Sequence, residues 1–149
     1  MNINWKLKSF NNLNPTELYE ILKLRQTVFI VEQNCPYLDC DDKDYKSQHL
    51  MGFENDMLIC YARLIPVGVS YEKEISIGRV VNHPKYRGKG AGKELMQKAI
   101  QECENYFGKQ PIRIGAQKWL KKFYESFGFE DINAPYYEDG IPHLIMIRK

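Results

Sequence analysis

A chain of 149 residues with a net charge of +2, 44% hydrophobic and 27% charged residues, is sized for a single domain (residues 1–149) with a real core. So small a positive balance excludes charge-driven binding to nucleic acid or anionic membranes, and no apolar run approaches the roughly 20 residues of a membrane span. The opening MNINWKLKSF lacks the apolar core of a signal peptide, so a cytoplasmic chain is expected, with Cys35, Cys40, Cys60 and Cys103 as free thiols.

In chain order, INWKLKSF alternates apolar and polar residues as a first strand does. From Pro15 the pattern turns helical, with Leu18, Ile21, Leu22, Val28 and Phe29 on one apolar face. The acidic segment NCPYLDCDDKDYKS reads as a solvated loop; counted from Asp39 it lacks the Gly and Glu of a calcium loop. The scattered histidines have no metal-ligand spacing, and no metal is expected. Three strand-like runs follow: HLMGFEN, MLICYARLIPV across an Asn55-Asp56 turn, and EISIGRVVN. After a glycine-rich stretch, Leu95, Met96, Ala99, Ile100 and Cys103 mark one side of a helix. PIRIGA is a further strand, QKWLKKFYESFG a second amphipathic helix stopped by Gly128, and HLIMIRK a closing strand. The order βα(β)3αβαββ predicts an α/β domain with a mixed central sheet.

The stretch KYRGKGAGKELMQKAI places Arg87, Lys89 and Lys93 around Gly88, Gly90 and Gly92 at the start of that helix. A helix N-terminus already carries partial positive charge, so further cations there imply an external anion. A Walker A loop is excluded because the glycine spacing is one residue short and Glu94 replaces the hydroxyl. The dinucleotide fingerprint fails because its third glycine comes one residue early. What remains is R-x-x-G-x-G between a strand and a helix. It resembles the acyl-CoA pyrophosphate loop of the GCN5-related N-acetyltransferases (GNAT). LRQTVFIVEQNCPYLDCDDKD, GRVV, GAQ, FYESFGF and EDGIPHLIM together resemble the ElaA-type subgroup, over nearly the whole chain.

The resemblance implies a GNAT-like sheet in which two neighbouring strands splay to admit the pantetheine arm. It also implies acetyl-CoA as co-substrate and an amine as acceptor, either a small molecule or a peptide. Arg87, Gly88, Lys89, Gly90, Ala91 and Gly92 would then hold the diphosphate, and the backbone of Val80, Val81 and Asn82 would bond the pantetheine and polarise the thioester carbonyl. Gln117 stands where the family has Asn, a departure that bears on the cofactor arm. Tyr124 occupies the position of the phenol that protonates the leaving sulfur; by spacing alone it reads sooner as a packed aromatic beside Phe123 and Phe127, and the resemblance is what favours the acid.

The base stays open. Glu32 follows an apolar run that would raise its pKa; the alternative is a helix-end carboxylate that caps or pairs with Arg25, which shares its face but stands two helical turns away. His143 in DGIPH is a second candidate, with a structural hydrogen-bonded histidine as the alternative; His49 reads as structural, and ordered water needs no single base. Arg25 and Arg79 are candidates for holding an acidic group of the acceptor, Arg79 otherwise pairing with Glu32. Two rival readings are a silent acyl-CoA-binding module and an acyl-homoserine-lactone-synthase-like enzyme. An exposed final strand would allow a homodimer.

Overall fold

The computed structural model describes residues 2–149. β1 (Asn4–Ser9), β2 (Gln48–Glu54), β3 (Met57–Ile65) and β4 (Ser76–Asn82) form an antiparallel sheet in that order. β5 (Ile112–Gln117), β8 (Ile141–Arg148) and β6 (Phe129–Asp131) form a second one, and β7 (Tyr136–Glu138) also pairs with β8. The halves meet at one place. Ile75 and Ile112 form a parallel bridge in which the Arg113 amide donates to the Ile75 carbonyl at 3.0 Å. β4 and β5 therefore start together and then part, which makes the whole a mixed, splayed sheet.

α1 (Pro15–Arg25) starts on a complete capping box: Asn14 accepts from the Glu17 amide, and the Glu17 carboxylate accepts from the Asn14 amide. The helix runs directly into wide π turns over Gln26–Glu32. Ile21, Leu24 and Val28 pack with Met51, Leu58, Tyr61 and Val81 on one face of the sheet. α2 (Ala91–Phe107) covers the opposite face, and the five apolar positions read from its periodicity are all buried. Each of its larger side chains contributes about 1.5–3 kcal/mol by leaving water.

Three expectations need correction. The helix anticipated from Gln117 is only α3 (Lys121–Glu125), preceded by a single tight turn over Lys118–Leu120, because Gln117 is still paired within β5. Three strands follow it rather than two. The last strand is interior, flanked by β5 on one side and by β6 and β7 on the other, so it has no free edge for a second copy. No helix among the described residues is long and apolar enough to cross a membrane.

Candidate functional site

β4 is bent where it matters. Tyr61 pairs with Val81 and Arg63 with Gly78, so Ala62 alone faces both Arg79 and Val80. That is a β-bulge. Arg79 has φ of +51° within it, a left-handed conformation costing a non-glycine residue roughly 1–2 kcal/mol. The Arg79 guanidinium offsets the cost by donating to Asp39 Oδ1 at 2.8 Å, to the Asp39 carbonyl at 3.0 Å and to Asp41 Oδ2 at 3.3 Å.

Two further arginines complete the clamp. Arg25, fully buried, donates to Asp39 Oδ2 and Asp44 Oδ1, each at 2.7 Å. Arg63 forks onto Asp41 at 2.7 and 2.9 Å and reaches Asp44 Oδ1 at 3.0 Å. Burial would raise Asp44, but the hydrogen bonds and charge of Arg25 and Arg63 hold it below its ordinary value. Asp41, burial notwithstanding, is held at about 2 chiefly by Arg63. His49 bridges the Tyr61 hydroxyl at 2.6 Å and the Asp44 carbonyl at 2.9 Å, and burial lowers its pKa, so it is a neutral structural bridge.

The acidic segment is thus not a solvated loop: three of its aspartates are drawn inside by three arginines. Arg25 has no surface left to offer an acceptor, and it pairs with Asp39 and Asp44, not with Glu32. Arg79 likewise holds Asp39 and Asp41 rather than Glu32.

Beyond the bulge, β4 presents an open edge. Val81 pairs with Tyr61, and the His83 amide donates to the Ile59 carbonyl at 2.7 Å. By strand alternation the polar backbone groups of Val80 and Asn82 face away from β3, into the gap that β5 leaves. Asn82 Oδ1 is buried there without a partner. Beside it Gly92 opens space: a Cβ on this residue would stand 2.8 Å from Asn82 Nδ2 and 3.9 Å from Phe123. Gly88 and Gly90 serve through their backbone rather than by leaving room for a neighbour. A Cβ there would meet nothing, but their φ values of +77° and +84° need glycine. Gly90 is also the N-cap of α2 and brings no side chain to its first amides, so that end of the helix remains open to an anion. Ala91 is buried and seats the first turn.

Arg87, exposed at this mouth, donates to Glu32 at 2.7 Å. That hydrogen bond lowers the pKa of Glu32 instead of burial raising it, which makes Glu32 a weaker base than the sequence suggested. Lys89 lies over the Tyr86 ring at 5.6 Å. Tyr124 packs edge-on against Phe123 and Phe129 from the α2 side of the sheet, and burial pushes its pKa up to about 12. Gln117, the last residue of β5, accepts from the Trp119 indole at 2.6 Å and donates to Gln33 at 3.4 Å, which ties β5 to the end of the wide turns.

His143, paired with Gln117 across β5 and β8, is buried on the face opposite Tyr124. Its Nδ1 lies 2.8 Å from the Ile141 carbonyl and its Nε2 3.4 Å from Glu138 Oε2. Sequence reasoning missed Glu138. It opens the EDGIPHLIM run, but its three-residue strand is too short to show a period that would single it out.

A family model described as "Acetyltransferase (GNAT) domain" matches residues 31–149. Protein ElaA of Escherichia coli is 40% identical over 149 residues, covering 99% of this chain and 97% of that one. Its crystal structure superposes with a TM-score of 0.92 at 39% identity, covering 99% and 100% of the two chains. An acyl-CoA N-acyltransferase from Pseudomonas aeruginosa gives 0.93 at 38% identity, again over 99% and 100%. A GNAT family acetyltransferase from Elizabethkingia anophelis, solved with acetyl-CoA bound, shares the fold alone: TM-score 0.66, 15% identity, coverage 99% and 98%.

Proposed function

The chain belongs to the GNAT acetyltransferase family, and from that premise we propose that it moves an acetyl group from acetyl-CoA to an amine by direct attack on the thioester. The observation that carries this reading is the open edge of β4 beside an uncapped helix N-terminus, joined through Asn82 and Gly92. A pantetheine amide lying in the gap would meet the backbone groups of Val80 and Asn82, and the orphaned Asn82 Oδ1 can accept one of its N–H groups. The Gly88–Gly92 loop and the first amides of α2 suit a diphosphate. Arg87 is within reach of the same anion once it leaves Glu32.

Chemistry at the gap follows from its two sides. A backbone N–H of the β4 edge aimed at the thioester oxygen stabilises the charge that develops there, a role worth a few kcal/mol. Tyr124, neutral throughout the physiological range, donates from the α2 side to the departing sulfur. Full proton transfer from a phenol at about 12 to a thiolate of pKa near ~8.5 runs uphill by about 5 kcal/mol, so Tyr124 acts first as a hydrogen-bond donor and yields its proton only as the C–S bond breaks.

The test is calorimetric binding of acetyl-CoA together with thiol release across a panel of amines. Binding with amine-dependent release supports the enzyme. Binding without release to any amine would favour a silent acyl-CoA module, and absence of binding would sink the reading of the gap.

A further inference from the structure

His143 and Glu138 point two acceptors at one spot. A carbonyl oxygen can only accept, so the 2.8 Å contact with Ile141 requires the proton of His143 to sit on Nδ1. In the neutral ring Nε2 then carries a lone pair, and it faces Glu138 Oε2 at 3.4 Å. Neither atom can donate to the other. His143 is more than nine-tenths buried, so water is not freely available to bridge them, while Glu138 is 56% exposed and reaches outward. The Tyr136 ring lies against the imidazole, with centroids 5.2 Å apart, and forms an aromatic wall.

The position of this pair fits the acceptor side of the gap. His143 is paired with Gln117 at the end of β5 that has parted from β4, one strand spacing, about 4.7–4.9 Å, beyond it. Leu144 belongs to the core shared with Tyr124, so its neighbour His143 projects from the other face. A thioester lying in the gap would have Tyr124 on one side and His143 on the other.

We propose that His143 Nε2 and the Glu138 carboxylate, walled by Tyr136, form the site that receives the acceptor as an ammonium ion, and that Nε2 takes its proton. The inference rests on the acetyltransferase reading and deepens it, naming a primary alkylamine as the substrate class. In the step, the N–H bond of R–NH3+ breaks, its electron pair stays on nitrogen, and the proton bonds to Nε2. The imidazolium so formed donates to Glu138, which converts two facing acceptors into an ion pair. The freed lone pair forms the C–N bond as the C–S bond breaks. The sulfur takes the Tyr124 proton, and the proton lost by the new amide nitrogen restores that phenol through water. His143 returns its own proton to solvent past Glu138. The other titratable groups on the elements around His143 include Tyr71, Tyr136, Tyr137, Asp139 and Cys35, the last held by its thiol to the Asp139 carbonyl at 3.4 Å.

Titration of the whole protein with phenethylamine, following the imidazole carbon-bound protons by NMR, tests the site without catalysis. His143→Gln assigns the resonance, or His49→Gln and His83→Gln assign it by elimination among the three histidines. Phenethylamine should shift it saturably, phenethyl alcohol should not, and Glu138→Gln should weaken the response at least tenfold. Equal shifts with amine and alcohol, or indifference to Glu138→Gln, would overturn the site; since Glu138 is largely exposed, this variant serves even if His143→Gln does not fold. Transfer assays test the base. His143→Gln should slow acetylation of benzylamine at least tenfold and of hydroxylamine, which is already neutral at pH 7, less than twofold; equal losses overturn the base role. No wild-type transfer to either acceptor would sink the acetyltransferase reading and the base with it, leaving the cation site to the NMR titration.

Discussion

Asp44→Ala removes the carboxylate shared by two buried guanidinium groups. In the wild type, Oδ1 accepts from Arg25 Nη1 at 2.7 Å and from Arg63 Nη1 at 3.0 Å, and Oδ2 accepts from Arg25 Nη2 at 3.3 Å. Arg25 is wholly buried and Arg63 is 2% exposed, so neither can turn to water for a replacement. Arg25 would keep Asp39 and Arg63 would keep Asp41, which spares the cluster from collapse. Breaking a buried charge pair on one side costs about 3–5 kcal/mol. At about 2–4 °C per kcal/mol for a domain of this size, the melting temperature should fall by about 6–20 °C. Urea unfolding at pH 7, monitored by tryptophan fluorescence and by circular dichroism, gives the free energy directly. Asp44→Asn, which keeps the shape and loses the charge, should fall between the two. A loss below about 1 kcal/mol for Asp44→Ala, the level of a surface ion pair, would mean that the segment is solvated and that the clamp on the β4 bulge does not exist in solution.

The same cluster sets an acid limit. The folded pKa of Asp41, about 2, lies below its ordinary 3.8, so its contribution of about 2.5 kcal/mol is complete above pH 5 and is lost as the pH falls through 2; Asp44 acts in the same direction. Stability that is flat from pH 5 to pH 2 would contradict the pairing. Gly92→Ala should weaken acetyl-CoA binding at least tenfold by calorimetry, because the new methyl group displaces the Asn82 amide from the gap. Gly88→Ala should act through backbone strain, lowering stability by about 1–2 kcal/mol in thermal unfolding. Tyr124→Phe should slow acetyl transfer at least tenfold while changing unfolding free energy by under about 1 kcal/mol, since packing against Phe123 and Phe129 is retained. An unchanged rate would remove Tyr124 from the mechanism.

Much of this arrangement is written locally and was therefore legible. α2 shows its buried face in its spacing, and the glycine loop stands out before that helix, although the left-handed backbone at Gly88 and Gly90 does not show in it. β2, β3 and β4 are long enough to display their composition. The Arg25, Arg63 and Arg79 clamp was not legible, because its partners stand 14 to 40 residues apart and a run of aspartates looks the same whether solvated or paired. β6 and β7 are three-residue strands held by β8, too short for any periodicity. Gln117 sits at a strand end that continues directly into a turn, and the helical pattern of the following residues extended over it.

Arg25 and Glu32 show what the wide turns of Gln26–Glu32 accomplish. An α-helix advances about 100° per residue, so seven residues bring a side chain back to nearly the same azimuth. Turns closed by i→i+5 bonds advance less per residue, and the lag accumulates. Arg25 consequently points into the protein while Glu32 emerges at the mouth of the glycine loop beside Arg87. The segment works as a phase shifter between two duties of one rod, anchoring at its start and facing the glycine loop at its finish. Winding the same seven residues as an α-helix would leave Arg25 seated and swing Glu32 away from Arg87. The width of these turns is thereby as constrained as their composition.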